Sequence, residues 1–332
     1  EDWGSFGGWQ NTIGNLSATE GYKINVTANC TLSVTGAAVA LPLDIPLNAG
    51  WNIIGFPTQT AQNAKDAVQA LIDAGKLIKV MDEAGRSIED WGTFGGWVNN
   101  IGNFAPGKGY KVNVSSACTL TIADTGFKST AMGISNEPAR HFRTVYSGNG
   151  FNHMNFNLAN LSAAGFSLGD EVAIFDGALC VGAAVLTREN LIQDRIALVA
   201  SARDGIADIA NGFTEGRPIK IKVIHHEKIV ENTLPAGKTF VQNGSLLIDM
   251  TLLNQSLASF PKEAGSFECY PNPFNTKIFI DVKGLTVPEL DIAIFDVTGR
   301  KIAEVYKGVN TGNTVFIWER GNTIAGAYFC KA

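Results

Sequence analysis

The sequence is short of charge, of histidine and of long apolar runs. Only 17% of its 332 residues are Asp, Glu, Lys or Arg, less than helix-rich soluble proteins carry. The net charge is −5 with both signs interspersed, and without a basic stripe or Arg-rich arm nucleic acid is not an expected partner. No apolar stretch approaches the ~18 residues of a membrane-spanning helix, so the chain reads as not transmembrane. Glu1-Asp2-Trp3 is not a charged-then-apolar leader, so the chain is expected to be cytosolic, already processed, or a piece of something longer. The five cysteines form no CxxC pair, which removes zinc and thioredoxin-like readings. GxSxG, the phosphate-binding P-loop and the EF-hand pattern are all missing. The four histidines are His141, His153, His225 and His226. They sit in no arrangement that calls for catalysis, so no enzymatic activity and no cofactor is expected.

Glycine is plentiful at 36 residues, and it punctuates Thr-, Val-, Ile- and Asn-rich text, the signature of short strands and turns. The chain also repeats itself. EDWGSFGGWQNTIGN from Glu1 returns as EDWGTFGGWVNNIGN from Glu89, and GYKINVTANCTLSV returns as GYKVNVSSACTLTI, at a constant offset of 88. A gapless repeat of this length marks a duplicated structural unit. In each copy period-two alternation predicts two strands, residues 21–26 and 31–34 in the first. Tyr22, Ile24 and Val26 share one face, and Cys30 and Cys118 face a core as small hydrophobes.

Residues 47–57 read as a buried strand stopped by Pro57. A helix is expected over about 61–74, capped by Thr58 or Thr60 and ended by Gly75. The resulting plan is an incomplete first repeat (1–36), a complete α+β unit (37–126), a linker (127–140), a β-sandwich (141–253), a second linker (254–268) and a C-terminal β-sandwich (269–332). The fold class is mainly β: a tandem repeat unit with one helix, then two antiparallel sandwiches. Strands are expected at 172–175, 179–183, 196–200, 219–224 and 246–252, and at 277–282, 290–296, 301–306, 314–318 and 327–331.

Trp3, Trp9, Trp91 and Trp97 lie in glycine-rich loops, where an exposed Trp can stack on a sugar. Plugging the core of the unit is the favoured role, because both copies keep Trp and Gly together. Asp170, Asp176, Asp204 and Asp208 could supply oxygens to calcium, but turn chemistry is favoured for them. Asn15, Asn25, Asn113 and Asn160 open N-x-S/T triplets. Cys269 and Cys330, near opposite ends of the last domain, are candidates for a disulfide, though spacing alone cannot fix the geometry.

Three motifs in order close the chain. They are Tyr270-Pro271-Asn272-Pro273-Phe274, then Asp296-Val297-Thr298-Gly299-Arg300, then Gly326-Ala327-Tyr328-Phe329-Cys330-Lys331. Together they resemble the C-terminal sorting domain of type IX secretion substrates of Bacteroidetes-like bacteria. The resemblance implies a small antiparallel sandwich, engagement of the type IX export machinery, and an extracellular or cell-surface destination. Family members usually continue into one further strand, whereas this chain stops at Ala332. Gly169–Gly177 with Cys180-Val181-Gly182 is similar to a β-domain of secreted proteins from the same bacteria, and the GWNIIGFP…GYKVNV unit to repeats found beside it. In that bacterial setting the N-x-S/T triplets carry little meaning.

The leading expectation is an exported, non-catalytic surface or structural protein. It would be an adhesin-like stalk, or a subunit that joins copies of itself into an extracellular fibre by strand complementation. The alternative is a carbohydrate-binding region of a secreted hydrolase, with a surface glycan as partner.

Overall fold

The computed structural model describes residues 2–26, 28–124, 136–146, 150, 152–204, 210–225, 228–234, 238–253, 266–283, 289–309, 314–321 and 326–331. The chain is mainly β and divides into two compact units, Glu1–Leu257 and Ala258–Ala332.

Within the first unit, the complete repeat contains β1 (Leu43–Leu47), β2 (Gly50–Gly55), β3 (Gln62–Asn63), α1 (Ala64–Ala67), α2 (Gln69–Asp73) and β4 (Leu77–Met81). The repeated block then adds β5 (Ser87–Asp90), β6 (Trp97–Asn99), β7 (Asn103–Phe104), β8 (Gly109–Val114) and β9 (Cys118–Ile122). The main sheet runs β2-β8-β4-β5-β6, with β1 paired to β9 and β3 to β7. The block therefore supplies a central strand, β8, whose two neighbours both come from the half before it. Alternate residues of β8, Tyr110, Val112 and Val114, enter the core with Ile45, Ile54, Phe56, Val80, Phe104, Leu120 and Ile122.

The expected single helix is two short ones. Val68, at φ −107° and ψ 8°, separates α1 from α2. The cap is Asn63, whose side chain accepts the Lys65 and Asp66 amides. Thr58 instead donates its hydroxyl to the Thr60 carbonyl, and residues 62–63 are tied to β7 as a strand. Gly75 ends the helical segment at φ +61°.

The first copy of the block departs most from expectation. Residues 21–26 and 31–34 form no strand among the described residues, and Cys30 is exposed rather than core-facing. Extended backbone becomes a strand only when a neighbour takes its amides and carbonyls.

Seven further strands follow in the same unit: β10 (His153–Ala159), β11 (Glu171–Asp176), β12 (Leu179–Val185), β13 (Arg195–Ser201), β14 (Ile219–His225), β15 (Lys228–Thr233) and β16 (Ser245–Asp249). They make two sheets, β13-β10-β16 and β12-β11-β14-β15. Phe213 stacks on Phe240 at 4.7 Å, and Phe240 meets Phe156 edge-on. One pair, β10 with β16, is parallel, so this sandwich is not wholly antiparallel. Strands β10 and β15 and the helix α3 (Arg188–Ile192), capped by Thr187 and Asn190, were not expected. The polar alternation of His153-Met154-Asn155-Phe156-Asn157 hides β10, because both asparagines are buried.

The second unit holds β17 (Ser266–Tyr270), β18 (Lys277–Lys283), β19 (Glu289–Asp296), β20 (Lys301–Val309), β21 (Thr314–Glu319) and β22 (Tyr328–Lys331). Sheets β17-β18-β21 and β20-β19-β22, antiparallel throughout, enclose Ile278, Ile280, Val282, Leu290, Ile292, Ile294 and Trp318.

Candidate functional site

The two copies of the repeated block share their local structure in detail. The Trp3 amide donates to the Gly8 carbonyl at 2.9 Å, and Trp91 to Gly96 at 2.8 Å. Gly4 and Gly92 each donate to the preceding Asp side chain at 2.9 Å. Asn11 and Asn99 each bridge three backbone groups of the following turn. The Tyr22 and Tyr110 hydroxyls each accept an amide from five residues earlier at 2.8 Å. Gly8 and Gly96 adopt φ +62° and +58°, left-handed values that glycine takes at no steric cost. Local sequence alone therefore builds this loop twice.

Burial separates the copies. Ile101, Phe104, Val112, Leu120 and Ile122 are buried, while their counterparts Ile13, Leu16, Ile24, Leu32 and Val34 are all more than half exposed. What covers the second copy is the half-unit from β1 to β4. The first copy lies against β2 at residues 18–21, where a Cβ on Gly55 would meet the Glu20 carbonyl at 2.9 Å and the Gly21 amide donates to the Ile53 carbonyl at 3.0 Å. The tryptophans split the same way. Trp91 is buried against Val98 and Ala197, Trp97 is half-buried beside the repeat core, and Trp3 and Trp9 are 52% and 82% exposed.

A second constellation, unseen in the sequence, joins the repeat unit to the sandwich after it. Lys79 Nζ donates to the Asn243 and Gly244 carbonyls and to Ser245 Oγ, 3.9 Å from Glu89. Lys111 Nζ donates to Asn152 and Asn243, Asn155 to the Gly85 carbonyl, and Arg195 lies over the Trp91 ring. Burial pushes Lys79 down to about 8 against the pull of Glu89. Burial, then the nearby Lys23 and Lys79, brings Lys111 to about 8. His153 is pushed down to about 4, first by burial and then by Lys111, Lys23 and Lys79, although a bond with the Glu83 carbonyl opposes this. A lysine within a strand reads as outward-facing, which is why this seam escaped notice. The sequence offers no signal for it, because the partners of Lys79 lie 164 to 166 residues further along the chain.

The remaining polar candidates already hold partners within the fold. His225 Nδ1 lies 2.6 Å from Asp170, which also accepts the Ser167 amide. Asp176 pairs with Arg217 and accepts the Thr214 amide. Asp204 accepts from Asn211. Asp208 and His226 lie outside the described residues. His141 sits 3.0 Å from Glu171. Burial works to raise the Glu171 pKa, and hydrogen bonds from the Arg140, His141 and Phe142 amides and the His141 ring bring it below its ordinary value. His153 Nδ1 is 3.4 Å from Ser201 Oγ. Among the described residues, no three His, Cys, Asp or Glu side chains converge as metal ligands would.

In the second unit the motif residues are structural neighbours. Tyr270 stacks on Phe279 at 5.5 Å, ahead of the exposed Pro271-Asn272-Pro273, and Phe274 and Tyr328 flank Trp318. The Asp296–Arg300 turn is closed by Asp296, which accepts the Thr298 and Arg300 amides, and Gly299 at φ +84° allows it. Asp82–Arg86 builds the same D-x-x-G-R turn between β4 and β5, with Gly85 at φ +82°. Arg300 pairs with Asp296, and Gly326 is exposed. Cys269 and Cys330 are free thiols that interact with one another. Burial, then Cys269, pushes Cys330 up to about 12.

Residues 268–332 match the family described as the secretion system C-terminal sorting domain. The comparison with curated proteins returns no match. With this tail the chain is a type IX secretion substrate, exported to the cell surface or the extracellular space.

Proposed function

We propose that this exported type IX secretion substrate is a non-catalytic modular scaffold at the cell surface, an adhesin-like stalk or a fibre subunit whose joints are made by strand complementation. One observation carries the reading. The chain holds two copies of a block that gives a sheet its central strand, and one copy has its core-facing side chains in solvent. A run of exposed apolar side chains that a sister copy buries is a surface for association. The complete unit also rests on its following sandwich through a desolvated seam, as rigid neighbouring modules do. Analytical ultracentrifugation with electron microscopy tests the fibre form. Linear assemblies that grow with concentration are expected, and a strict monomer at every concentration rules that form out.

A second reading rests on Phe6 and Trp9, 88% and 82% exposed in one glycine-rich loop. Such rings can stack on sugar faces, and the region would then bind a surface glycan as an appendage of a secreted hydrolase. A glycan array with the intact chain and Trp9→Ala separates this from the scaffold. Binding lost in the variant supports the glycan reading, and a blank array removes it.

A further inference from the structure

We propose that residues 22–26 and 32–34 form a docking surface for one kind of partner, a half-unit with the chemistry of residues 43–81: three apolar strands, the last two separated by a short helical segment. The inference deepens the scaffold reading and rests on it.

The identity of the occupant follows from the register between the copies. In the complete unit, residues 109–114 lie between β2 and β4, and 118–122 lie beside β1. Every core-facing side chain there has an apolar counterpart 88 positions earlier: Tyr110 and Tyr22, Val112 and Ile24, Val114 and Val26, Leu120 and Leu32, Ile122 and Val34. Ile24, Val26, Leu32 and Val34 are 62%, 52%, 65% and 70% exposed, whereas Val112, Val114, Leu120 and Ile122 are at most 1% exposed. The loop hydrogen bonds that the first copy shares with the second run as far as Tyr22, at the start of this segment. Its surface is thus preset in sequence for the covering that residues 43–81 give the second copy.

A folded second copy of this chain keeps its residues 43–81 on its own β7, β8 and β9, so copies join through this face only by exchanging that segment. The proposed occupant is a free segment of that type, outside residues 1–332. Trp3 and Phe6 lie outside this docking face. Their counterparts Trp91 and Phe94 pack on the opposite side, against Val98 and Ala197.

The test extends the full chain. A copy of residues 37–88 is placed directly ahead of Glu1, which preserves the 88-residue spacing, and hydrogen exchange is followed at residues 22–26 and 32–34. Docking slows exchange there by roughly a hundredfold, the scale of a structured core strand over an exposed segment. Ile24→Asp in the extended chain abolishes the slowing, and a scrambled 37–88 segment produces none. Unchanged exchange in the extended chain, or equal slowing with the scrambled segment, overturns the docking inference and leaves the scaffold reading standing. Slowed exchange in the extended chain, with no assemblies from the unextended one, keeps the docking surface and removes the fibre.

Discussion

Ile24 and Val112 hold the same place in two copies of one block, and their surroundings are opposite. Val112 is wholly buried between β2 and β4, and Ile24 is 62% exposed. The loops leading to them carry the same hydrogen bonds, so the difference lies in tertiary covering and not in local sequence.

This difference sets an asymmetry in mutational cost. Phe104 is fully buried, 5.4 Å from Phe56 and 4.0 Å from Tyr110. Phe104→Ala is expected to cost about 3–5 kcal/mol. Leu16→Ala, at the matching position, is expected to stay within about 0.5 kcal/mol. Denaturant unfolding of the Glu1–Leu257 unit reads both, and equal losses contradict the assignment.

The two D-x-x-G-R turns offer a second internal control. A Cβ at Gly85 would meet His153 at 2.5 Å and Val199 at 2.6 Å, whereas one at Gly299 meets nothing within 4 Å. Both glycines have left-handed φ, so each Gly→Ala carries a penalty of about 1–2 kcal/mol. Only Gly85→Ala adds a clash at the seam. Its melting temperature should fall clearly further than that of Gly299→Ala. Burial also raises the Asp82 pKa, with its Arg86 contacts opposing, whereas Asp296, in the open copy of the turn, is held low first by its Thr298 hydrogen bond.

The seam predicts a pH dependence. Unfolded histidine titrates near 6.5 and folded His153 near 4, so the unfolded chain binds more protons between those values. Stability is present above about pH 6.5 and is lost as pH falls toward 4. Lys79 and Lys111 lie near 8 when folded and near 10.4 when unfolded, so stability rises with pH across that alkaline window. Melting curves of the Glu1–Leu257 unit from pH 4 to 10 test both limbs. His153→Gln should flatten the acid limb alone, and an unchanged acid limb refutes the role given to His153.

The contact between Cys269 and Cys330 predicts that an oxidant pairs these two thiols, slowly, because burial raises both above the ordinary thiol value. With diamide as the oxidant, the two thiols lose two hydrogens and form one disulfide joining β17 to β22. Intact mass should fall by the two hydrogens, and peptide mapping should link these two cysteines. Cys269→Ser should prevent the change. Linkage through Cys30 instead contradicts the pairing.

Much of this architecture was legible in the sequence. The alternation Tyr110-Val112-Val114 announced β8, and the closing motifs announced the sorting sandwich. The hidden parts share a physical cause. Residues 21–26 carry the same alternation as β8, but a strand is a property of a pair, and alternation cannot report whether a neighbour is there. Val68 fits a helical stripe, yet its backbone breaks the helix into α1 and α2. Lys79 and Asn155 are buried, and Lys111 half-buried, with long-range hydrogen bonds that no local pattern marks. The candidate site, the uncovered face of the first block, became visible only when its burial could be set beside that of its copy.

Hydrogen exchange on the unmodified chain tests the central claim most directly, because both copies report in one sample. At a concentration where the chain is monomeric, amides of residues 109–114 should be strongly protected, while those of residues 22–26 exchange at close to the rate of an open chain. Equal protection in the two segments would contradict the account.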